Sequence, residues 1–414
     1  MALSEELQWR GLIKDKTFKD ISWLDDPKTF YLGLDASSDS LTIGNLAVCL
    51  LARRLIDSGW KAVLLVGGAT SLIGDPGGKT EERELLPREK VEANAKAIKN
   101  QVSQLFAGEP FTPADNYDWF KDIGYLDFLR EVGKNFSMTE LMQREFVSER
   151  MGSGGSGISY AEFSYSLIQG YDFWRLYTDH GVVLQIGASD QWGNMLSGVS
   201  LIRKKESQEV HALSMPLIVN KTTGRKFGKT EEGAIWLDAG KTSPTKFYQF
   251  WINTDDADLE GYLKVFTLLP RDEIEKLMRE HKTNPGARTA QTILAKHVTR
   301  LVHGQNDNNQ AEGVTRYLTS QVSIADVTEA ELAEIKRDLP AISSSSGGSI
   351  IESLVKSSLA SSNSDARRLL AAGAVYINGK PTERENFESN DFQNGRLLLR
   401  RGKAFRDSAV IELI

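Results

Sequence analysis

A stretch at residues 39–48, "DSLTIGNLAV", holds hydrogen-bond donors at a place where a helix is expected to begin. An extended apolar run precedes it, and apolar residues at helical spacing follow it. Free backbone N–H groups and the helix dipole at such a point attract an anion. The Thr42 hydroxyl and the Asn45 amide would add donors, and Gly44 would let a ring lie close to the backbone. The stretch therefore predicts binding of a phosphate group without an acid, a base or a metal ligand of its own.

A second stretch, "KFGKT" at 226–230, brings two ammonium groups to a loop that contains glycine. A lysine is a compact point charge, which suits a polyphosphate whose charge moves during a reaction. Taken alone, Lys226 and Lys229 are also typical of a solvated surface loop. Their significance therefore depends on the elements that would position them beside residues 39–48.

Strand-like runs alternate with helical patterns in the first part of the chain. Strands are predicted at 29–35, 62–66, 181–187 and 213–219, with helices over about 44–57 and from about 192. Short strands that are apolar on both faces and separated by helices predict a parallel sheet covered on both sides. Ligands bind beyond the carboxyl ends of such strands. Because polar, glycine-rich loops leave those ends, we expect a Rossmann-like α/β domain with a nucleotide crevice.

The segment "GDPGGKT" resembles a Walker A phosphate loop but fails its spacing. That motif needs four residues between its first glycine and the Gly-Lys-Thr group, whereas Gly74 to Gly78 leaves three. The segment also begins eight residues beyond its strand rather than directly after it. A P-loop is therefore disfavoured.

Composition indicates a globular protein with more than one domain. The chain has 414 residues, of which 40% are hydrophobic and 26% charged, as is usual for globular proteins. No apolar stretch reaches transmembrane length, and the N-terminus lacks the apolar core of a signal peptide. We therefore expect a cytoplasmic protein without a membrane partner. The single cysteine excludes an internal disulfide framework, and the five histidines show no metal-ligand spacing, so no zinc site is expected.

Changes in pattern divide the chain into four segments. They are the α/β domain at 1–242, a helical region at 243–341, a flexible linker "ISSSSGGS" at 342–349 and a mixed α+β segment at 350–414. The last segment has a formal charge of +2 (10 Lys+Arg minus 8 Asp+Glu), against −8 for the rest (40 minus 48). This contrast is small, but it favours a tail that faces RNA.

Several longer stretches resemble the bacterial-type tyrosyl-tRNA synthetases, a family of class I aminoacyl-tRNA synthetases. They are "YLGLD", "LVGGATSLIGDP", "NYDWF", "EFSYSLIQGYDF", "LQIGASDQWGN", "KFGKT" and "SPTKFYQFWINTDDAD". "KFGKT" stands where the class has its KMSKS loop. "TIGN" stands in place of HIGH, so Thr42 and Asn45 replace two histidines. The resemblance implies a Rossmann-like parallel-sheet catalytic domain, an α-helical anticodon-binding domain and a small S4-like RNA-binding domain.

The implied activity is that of a tyrosine–tRNA ligase, which activates L-tyrosine with ATP and transfers it to the 3′ end of tRNA(Tyr). The tyrosine-binding residues implied are Tyr31 and Asp172 for the phenol, Asp75, Tyr165 and Gln169 for the α-ammonium group, and Gln191 beside them. Tyr165, Gln169 and Asp172 have i, i+4 and i+7 spacing, so they share one face of a helix. From spacing alone, that face could equally be a solvated one.

The resemblance also implies the groups that handle ATP. For ATP binding they are Asp35, Ser37, Gly44, Ala188, Asp190 and Lys229. For the chemical step they are Thr42, Asn45, Lys79, Arg83, Lys226 and Lys229. Because the reaction needs no protein nucleophile, catalysis is mostly positioning and charge stabilisation, and we expect Thr42 to slow activation rather than abolish it. Mg²⁺ is implied by ATP chemistry, although no carboxylate cluster dedicated to it is evident.

The C-terminal stretch 362–381, "SNSDARRLLAAGAVYINGKP", is similar to an S4 RNA-binding module. The cations that could meet RNA phosphates are Arg367, Arg368, Lys380, Arg400, Arg401 and Lys403. Cations on a small domain also commonly serve only to keep its surface solvated. The family resemblance further implies a homodimer, with "NYDWF" and the helix after it near the interface.

Two other functions compete with this one. A catalytically weakened, synthetase-like RNA-binding protein would explain "TIGN", but the retained Lys226, Lys229 and Asp172 oppose it. A related ligase that charges tryptophan is opposed by Tyr31 and Asp172, which suit a phenol. Measuring adenylate formation would distinguish a tyrosine–tRNA ligase from the RNA-binding protein. An amino-acid competition assay would distinguish it from the ligase that charges tryptophan.

Overall fold

The protein is represented by a computed structural model, which describes residues 1–75, 85–152, 157–221, 224, 227, 229–230, 233–318, 327–402 and 407–414. The chain forms two compact units. The first consists of Met1–Asp238 and Asp255–Ala290, and the second of Ala239–Thr254 and Gln291–Ile414. The region 243–341, which the sequence suggests is one helical segment, is thus divided between the two units.

The strands are short. In chain order they are β1 (Asp15–Lys16), β2 (Thr29–Asp35), β3 (Lys61–Gly67), β4 (Phe111–Asp115), β5 (Leu184–Ala188), β6 (His211–Met215), β7 (Lys229–Thr230), β8 (Gly233–Ala234), β9 (Ala341–Ser344), β10 (Val375–Ile377), β11 (Lys380–Pro381), β12 (Arg396–Arg401) and β13 (Ser408–Leu413). They form a six-stranded sheet and a β7–β8 hairpin in the first unit, and a five-stranded sheet in the second.

The α-helices range from a single turn to long rods. In chain order they are α1 (Leu3–Arg10), α2 (Ile43–Asp57), α3 (Thr70–Ile73), α4 (Arg88–Leu105), α5 (Tyr117–Phe120), α6 (Tyr125–Glu131), α7 (Met138–Met142), α8 (Glu145–Met151), α9 (Tyr160–His180), α10 (Trp192–Glu206), α11 (Pro244–Ile252), α12 (Asp256–Phe266), α13 (Arg271–Thr283), α14 (Thr289–Leu318), α15 (Glu329–Asp338), α16 (Ile350–Lys356) and α17 (Asn363–Ala371). Of these, α1–α10, α12 and α13 belong to the first unit.

The six-stranded sheet has the order β1-β6-β5-β2-β3-β4, and every neighbouring pair is parallel except β1 with β6. In β3 all residues after Lys61 are buried, as expected for a strand covered on both faces. The prediction of a Rossmann-like parallel sheet is confirmed. Its carboxyl edge is formed by the ends of β2, β3 and β5, which are adjacent in the sheet.

Particular residues mark the start of helix α2 and both ends of helix α9. Thr42 has extended backbone dihedrals and precedes the first turn of α2, whose inner face is apolar and buried. Ser159 caps α9 by accepting a hydrogen bond from the Glu162 N–H. Gly181 ends α9 with φ of +65°, a conformation that costs glycine little. These caps fix where each helix starts or stops relative to the sheet.

Two buried arginines hold the end of α12 against α1 and α2. Arg10 donates to the carbonyls of Lys264 (2.8 Å) and Leu269 (2.6 Å), and Arg54 donates to the carbonyl of Thr267 (2.6 Å). The last carbonyls of a helix lack partners within the helix, so these guanidinium groups satisfy them. Burial lowers the pKa of Arg54 to about 9. The side chain therefore remains a cation at neutral pH.

The second unit contains a five-stranded sheet in the order β11-β10-β12-β13-β9. Strand β9 runs parallel to β13, with Ile342 opposite Ile411. The sequence predicts a flexible linker at 342–349, but residues 342–344 are paired in this strand. Ile342 also packs against the apolar cluster of this unit, which helps to hold the segment in the sheet. Helix α14 contains Gly304 at φ of +83°, where two helical stretches meet at a kink.

No helix in the part of the chain that the structure describes is both long enough and apolar enough to cross a membrane.

We expect Arg54→Met to lower the free energy of unfolding by about 3 kcal/mol, because the carbonyls at the end of α12 lose a charged donor. Urea denaturation would measure the loss. The matched control is Arg53→Met, which removes a partly exposed arginine paired with Asp57 and Glu109 and should cost less than about 1 kcal/mol. Equal losses in the two variants would contradict the role given to Arg54.

Candidate functional site

A cavity of about 390 Å³ lies at the carboxyl edge of the six-stranded sheet. It is lined by side chains from β2, α2, α9 and β5 and from the loops that follow these strands. The residues selected from the sequence that line it are Tyr31, Asp35, Ser37, Thr42, Gly44, Asn45, Asp75, Tyr165, Gln169, Asp172, Ala188, Asp190 and Gln191. The structure thus brings together residues that are up to 160 positions apart in the sequence, between Tyr31 and Gln191.

One end of the cavity is built around the buried carboxylate of Asp172. Asn116 Nδ2 donates to one of its oxygens (3.0 Å) and Trp119 Nε1 to the other (2.9 Å). Burial raises the pKa of Asp172 to about 8, while these two donors oppose that rise by favouring the ionised form. The Tyr31 hydroxyl is buried nearby and has no hydrogen-bond partner among the residues that the structure describes. The pKa of Tyr31 lies well above its usual value because of burial and the charge of Asp172.

This end can therefore receive a hydroxyl group attached to an apolar ring. Tyr31 offers a donor, and Asp172 offers acceptor capacity. The side chain of Gln185 lies beside Tyr31 on the neighbouring strand, is buried, and leaves its Oε1 unpaired. Buried polar atoms without partners are uncommon in native proteins. The Tyr31 hydroxyl and Gln185 Oε1 are two such atoms beside Asp172, which indicates that a polar ligand completes them.

The middle of the cavity contains a second hydrogen-bonded group of carboxylates. Asp35 accepts from the Tyr165 hydroxyl (2.7 Å) and from the Thr70 hydroxyl (2.8 Å). Asp75 accepts from Gln191 Nε2 (2.5 Å). Burial and the neighbouring charges of Asp35 and Asp75 raise the pKa of Tyr165 well above its usual value. Tyr165 is therefore a neutral phenol that donates a proton in its hydrogen bond.

The charge of the cavity favours a cation. Asp35, Asp75, Asp172 and Asp190 line it, and none of the described lining residues is lysine or arginine. An ammonium group would be attracted to such a place, whereas a triphosphate would need added positive charge. That charge must come from outside the set of described lining residues.

Gly67 allows the close approach of these groups. It ends β3 opposite Asp35, and a Cβ atom there would overlap the carboxylate of Asp35 and the hydroxyl of Thr70. A side chain at this position would therefore displace the hydrogen bond that orients Asp35.

The start of α2 faces the same cavity. The backbone N–H and the hydroxyl of Thr42 both donate to Asn45 Oδ1, at 3.0 and 2.9 Å. The Thr42 hydroxyl proton, which the sequence suggested for a phosphate, is thus used inside the turn. The Ile43 N–H donates to the Ile235 carbonyl (3.1 Å), so the donors that this turn can still offer the cavity are Asn45 Nδ2 and the Gly44 N–H.

Several of the predicted cations lie outside the described residues. These are Lys79, Arg83, Lys226 and Lys403. The backbone of Lys229 pairs with Ala234 in the β7–β8 hairpin. Phe227, which lies between the two lysines of "KFGKT" in the sequence, is buried and packs against Tyr262 (4.6 Å between ring centroids) and Phe266 (5.1 Å).

The C-terminal cations lie in the second unit. Arg367 and Arg368 are exposed on α17, and Lys380 is exposed on β11. Arg368 pairs with Asp365, and Arg401 pairs with Asp407 (2.7 Å), so both are partly neutralised. The guanidinium of Arg400 lies over the ring of Tyr376 (5.2 Å).

Asn116, Trp119, Thr70 and Gln185 are cavity or supporting residues that the sequence did not suggest. Asn116 and Trp119 belong to "NYDWF", which was expected near a dimer interface. Both side chains are visible in the sequence as hydrogen-bond donors, an amide and an indole. Their acceptor, Asp172, lies more than fifty residues away in the chain. Spacing along one element cannot show such a pairing.

The parallel sheet, the helix start and the cavity define a nucleotide-binding α/β protein. Residues 25–319 match the family model described as tRNA synthetases class I (W and Y), and residues 331–405 match that of the Tyrosine--tRNA ligase SYY-like C-terminal domain. The chain belongs to the tyrosine–tRNA ligase family of class I tRNA synthetases, which confirms the resemblance found in its motifs.

Relatives of known name cover nearly the whole chain. It is 46% identical over 389 residues to a tyrosine–tRNA ligase of Geobacillus kaustophilus, with 92% of each chain covered. It is 44% identical over 412 residues to one of Escherichia coli, with 97% of each covered. Its fold is similar to that of a C-terminally truncated mitochondrial tyrosyl-tRNA synthetase of Aspergillus nidulans. That similarity has a TM-score of 0.69 at 30% identity, over 77% of this chain and 94% of the other.

We expect Trp119→Phe to weaken tyrosine binding about tenfold at neutral pH, because Asp172 loses a donor to its ionised form. Because the pKa of Asp172 is about 8, we expect tyrosine affinity to rise with pH as this carboxyl ionises and becomes a stronger acceptor. Loss of the Trp119 donor raises that pKa further, so the rise in affinity should shift to higher pH. Calorimetric titrations from about pH 6 to about pH 9 would measure both effects.

The control for Trp119→Phe is Trp174→Phe, since that indole donates to Glu206 instead. It should leave tyrosine affinity nearly unchanged. A pH-independent affinity in the unaltered protein would contradict the role given to Asp172.

Proposed function

We propose that this chain is a tyrosine–tRNA ligase that forms tyrosyl-adenylate from L-tyrosine and ATP and then transfers tyrosine to tRNA(Tyr). The observation that carries the proposal is the position of the Asp172 carboxylate near the Tyr31 hydroxyl, which has no hydrogen-bond partner among the described residues, at the buried end of the cavity. A phenol would bind both groups at once. Phenylalanine would leave the Tyr31 hydroxyl buried and unpaired, which is costly, and would leave Asp172 with its bonds to Asn116 and Trp119 alone.

The rest of the amino acid fits the middle of the cavity. The carboxylate of Asp75 and the polar groups of Tyr165 and Gln169 would hold the α-ammonium group, and Gln191 would keep Asp75 in place. The negative charge of this region favours a cation. The tyrosine carboxylate would then extend toward the start of α2.

The chemical step requires alignment rather than a protein nucleophile. An oxygen of the tyrosine carboxylate forms a bond with the α-phosphorus of ATP, and the bond to the leaving pyrophosphate breaks. The Asn45 amide and the Gly44 N–H would donate to the phosphates. Lys79, Arg83, Lys226 and Lys229 would balance the charge that collects on pyrophosphate.

ATP would occupy the open side of the cavity. Asp35, Ser37, Gly44, Ala188 and Asp190 would contact its sugar and phosphates. Mg²⁺ would arrive on the triphosphate, since the described residues contain no cluster of three or more His, Cys, Asp or Glu that could hold a metal ion. In that arrangement magnesium neutralises phosphate charge, and the protein supplies the orientation.

The second unit would bind tRNA. We assign the anticodon-binding role to helices within 243–341 and an S4-like RNA-binding role to 350–414. The cations proposed to meet RNA phosphates are Arg367, Arg368, Lys380, Arg400, Arg401 and Lys403. Because tRNA and ATP are both cytoplasmic substrates, we expect the protein to act in the cytoplasm.

Tyrosine-dependent exchange of pyrophosphate into ATP, measured without tRNA, tests the proposal directly. We expect exchange with tyrosine and none with tryptophan or phenylalanine. Exchange with tryptophan would favour the related ligase. No exchange from folded protein that still binds tRNA would favour the catalytically weakened RNA-binding protein.

We further propose that the chain forms a homodimer through the segment from α5 to the start of α9. Six large side chains there are exposed in the single chain: Tyr125, Leu126, Met138, Met142, Met151 and Tyr160. Such a concentration of apolar surface is typical of an interaction site. The Tyr125 and Tyr160 hydroxyls are hydrogen-bonded to each other, so the start of α6 and the start of α9 lie close together.

We expect Leu126→Glu, at a side chain that is 76% exposed, to convert the dimer into a monomer, because a buried unpaired carboxylate is costly at an interface. Sedimentation equilibrium would measure the mass. The control is Leu268→Glu, which changes an exposed leucine outside the segment from α5 to the start of α9. This variant should leave the mass unchanged. A monomeric unaltered protein would contradict the proposed dimer.

A further inference from the structure

The loop between β2 and α2 is held at both ends by one helix. Asn94 and Gln101 lie seven residues apart on α4 and therefore on the same face. Asn94 Nδ2 donates to the Ala36 carbonyl (2.9 Å), and Gln101 Oε1 accepts from the Leu41 N–H (2.8 Å). We call these two residues the amide pair. Neither of them lines the cavity.

Ser40 connects the amide pair to a third part of the chain. Its hydroxyl donates to the Leu41 carbonyl (2.9 Å) and accepts from Gln101 Nε2 (3.0 Å) and from the Asp238 N–H (3.1 Å). A hydroxyl has one proton and two lone pairs, so all of its hydrogen-bonding capacity is used. Ser40 is 4% exposed, which makes replacement of these bonds by water difficult.

Ser40 bonds to a segment that follows "KFGKT" in the sequence. We call residues 226–230 the lysine loop. Ile43 N–H donates to the Ile235 carbonyl (3.1 Å), and Leu237 N–H donates to the Leu41 carbonyl (2.8 Å). Residues 235–237 follow β8, which pairs with β7 at Lys229. A short antiparallel contact therefore joins the start of α2 to the base of the loop that carries "KFGKT".

Three parts of the chain that adjoin, in the sequence, residues proposed to bind phosphates thus meet at Ser40 and Gln101. They are the loop before Thr42, the segment after the lysine loop, and the helix α4 that follows residues 79 and 83 in the sequence. We propose that Gln101, acting through Ser40, is a positioning residue for adenylate formation. This inference rests on the proposed function and adds a residue that determines how the ATP-binding elements are aligned.

The physical basis is the sensitivity of an aligned reaction to small displacements. The N–H groups at the start of α2 can stabilise the phosphates only from a fixed distance and direction. Leu41 directly precedes Thr42, so a shift of its backbone moves the first turn of α2. The phenol end of the cavity depends instead on the hydrogen bonds of Asp172 with Asn116 and Trp119. Gln101 and Ser40 take no part in these bonds.

The test compares Gln101→Met, which keeps the length of the side chain but removes both hydrogen bonds, with Gln104→Met as control. Gln104 is exposed on the same helix. We expect Gln101→Met to lower the maximal rate of tyrosine-dependent pyrophosphate exchange about tenfold, the effect of losing two neutral hydrogen bonds. Tyrosine affinity, measured by calorimetry without ATP, should stay within about twofold because the sites are separate.

Ser40→Ala provides a second, smaller change. It should lower the exchange rate in the same way, and the double variant should lose no more than about the larger single loss, since the two residues act as one unit. A role in stability alone would reduce tyrosine affinity together with exchange, and that outcome overturns the inference. Failure of both variants to fold also assigns the residues to stability and overturns it.

The two proposals fail in different ways. If the unaltered chain shows no tyrosine-dependent exchange, the proposed function is wrong. If the unaltered chain exchanges and both Gln101→Met and Ser40→Ala exchange at its rate, the proposed function stands and the positioning role of Gln101 is wrong.

Discussion

The parallel register of β2 with β3 and β5 is the constraint on which the site depends. Because the three strands run in the same direction, their carboxyl ends meet at one edge, and the loops that leave them are brought together. Tyr31 lies beside Gln185 and opposite Val63 in this register. A shift of one residue would turn the Tyr31 side chain to the other face of the sheet. The cavity, and every hydrogen bond around Asp35 and Asp172, follows from that alignment.

The electrostatics of the site separate two tasks. The described walls carry four carboxylates and suit an ammonium group, while a triphosphate needs cations that come from elsewhere in the chain. Burial makes Asp172 expensive to ionise, and the donors Asn116 and Trp119 reduce that cost. Asp172 therefore favours a ligand with a hydroxyl at the right place, because such a ligand completes its hydrogen bonds and a ligand without the hydroxyl does not.

Thr42 and Asn45, which stand where the class has two histidines, have a structural role at the start of α2. The two side chains bond to each other and stabilise the first turn of α2, so part of their capacity serves the helix. The remaining donors are an amide and backbone N–H groups. Their direction is fixed by the backbone, which is itself held from α4 and from the segment after the lysine loop. The start of α2 is thus held by hydrogen bonds from surrounding elements as well as by these two side chains.

The sequence by itself determined the parallel sheet, the main helices and the family, because alternating buried strands and local motifs are properties of neighbouring residues. The family resemblance also pointed to most of the polar residues that line the cavity. The sequence did not reveal the edge strands β1 and β4, which are short or polar, nor that α12 and α13 pack with the first unit. Tertiary structure alone decided that Asn116 and Trp119 support Asp172, that Arg10 and Arg54 complete the end of α12, and that Gln101 holds the loop before Thr42. Each of these is a hydrogen bond between residues far apart in the chain, and only folding brings such donors and acceptors within reach.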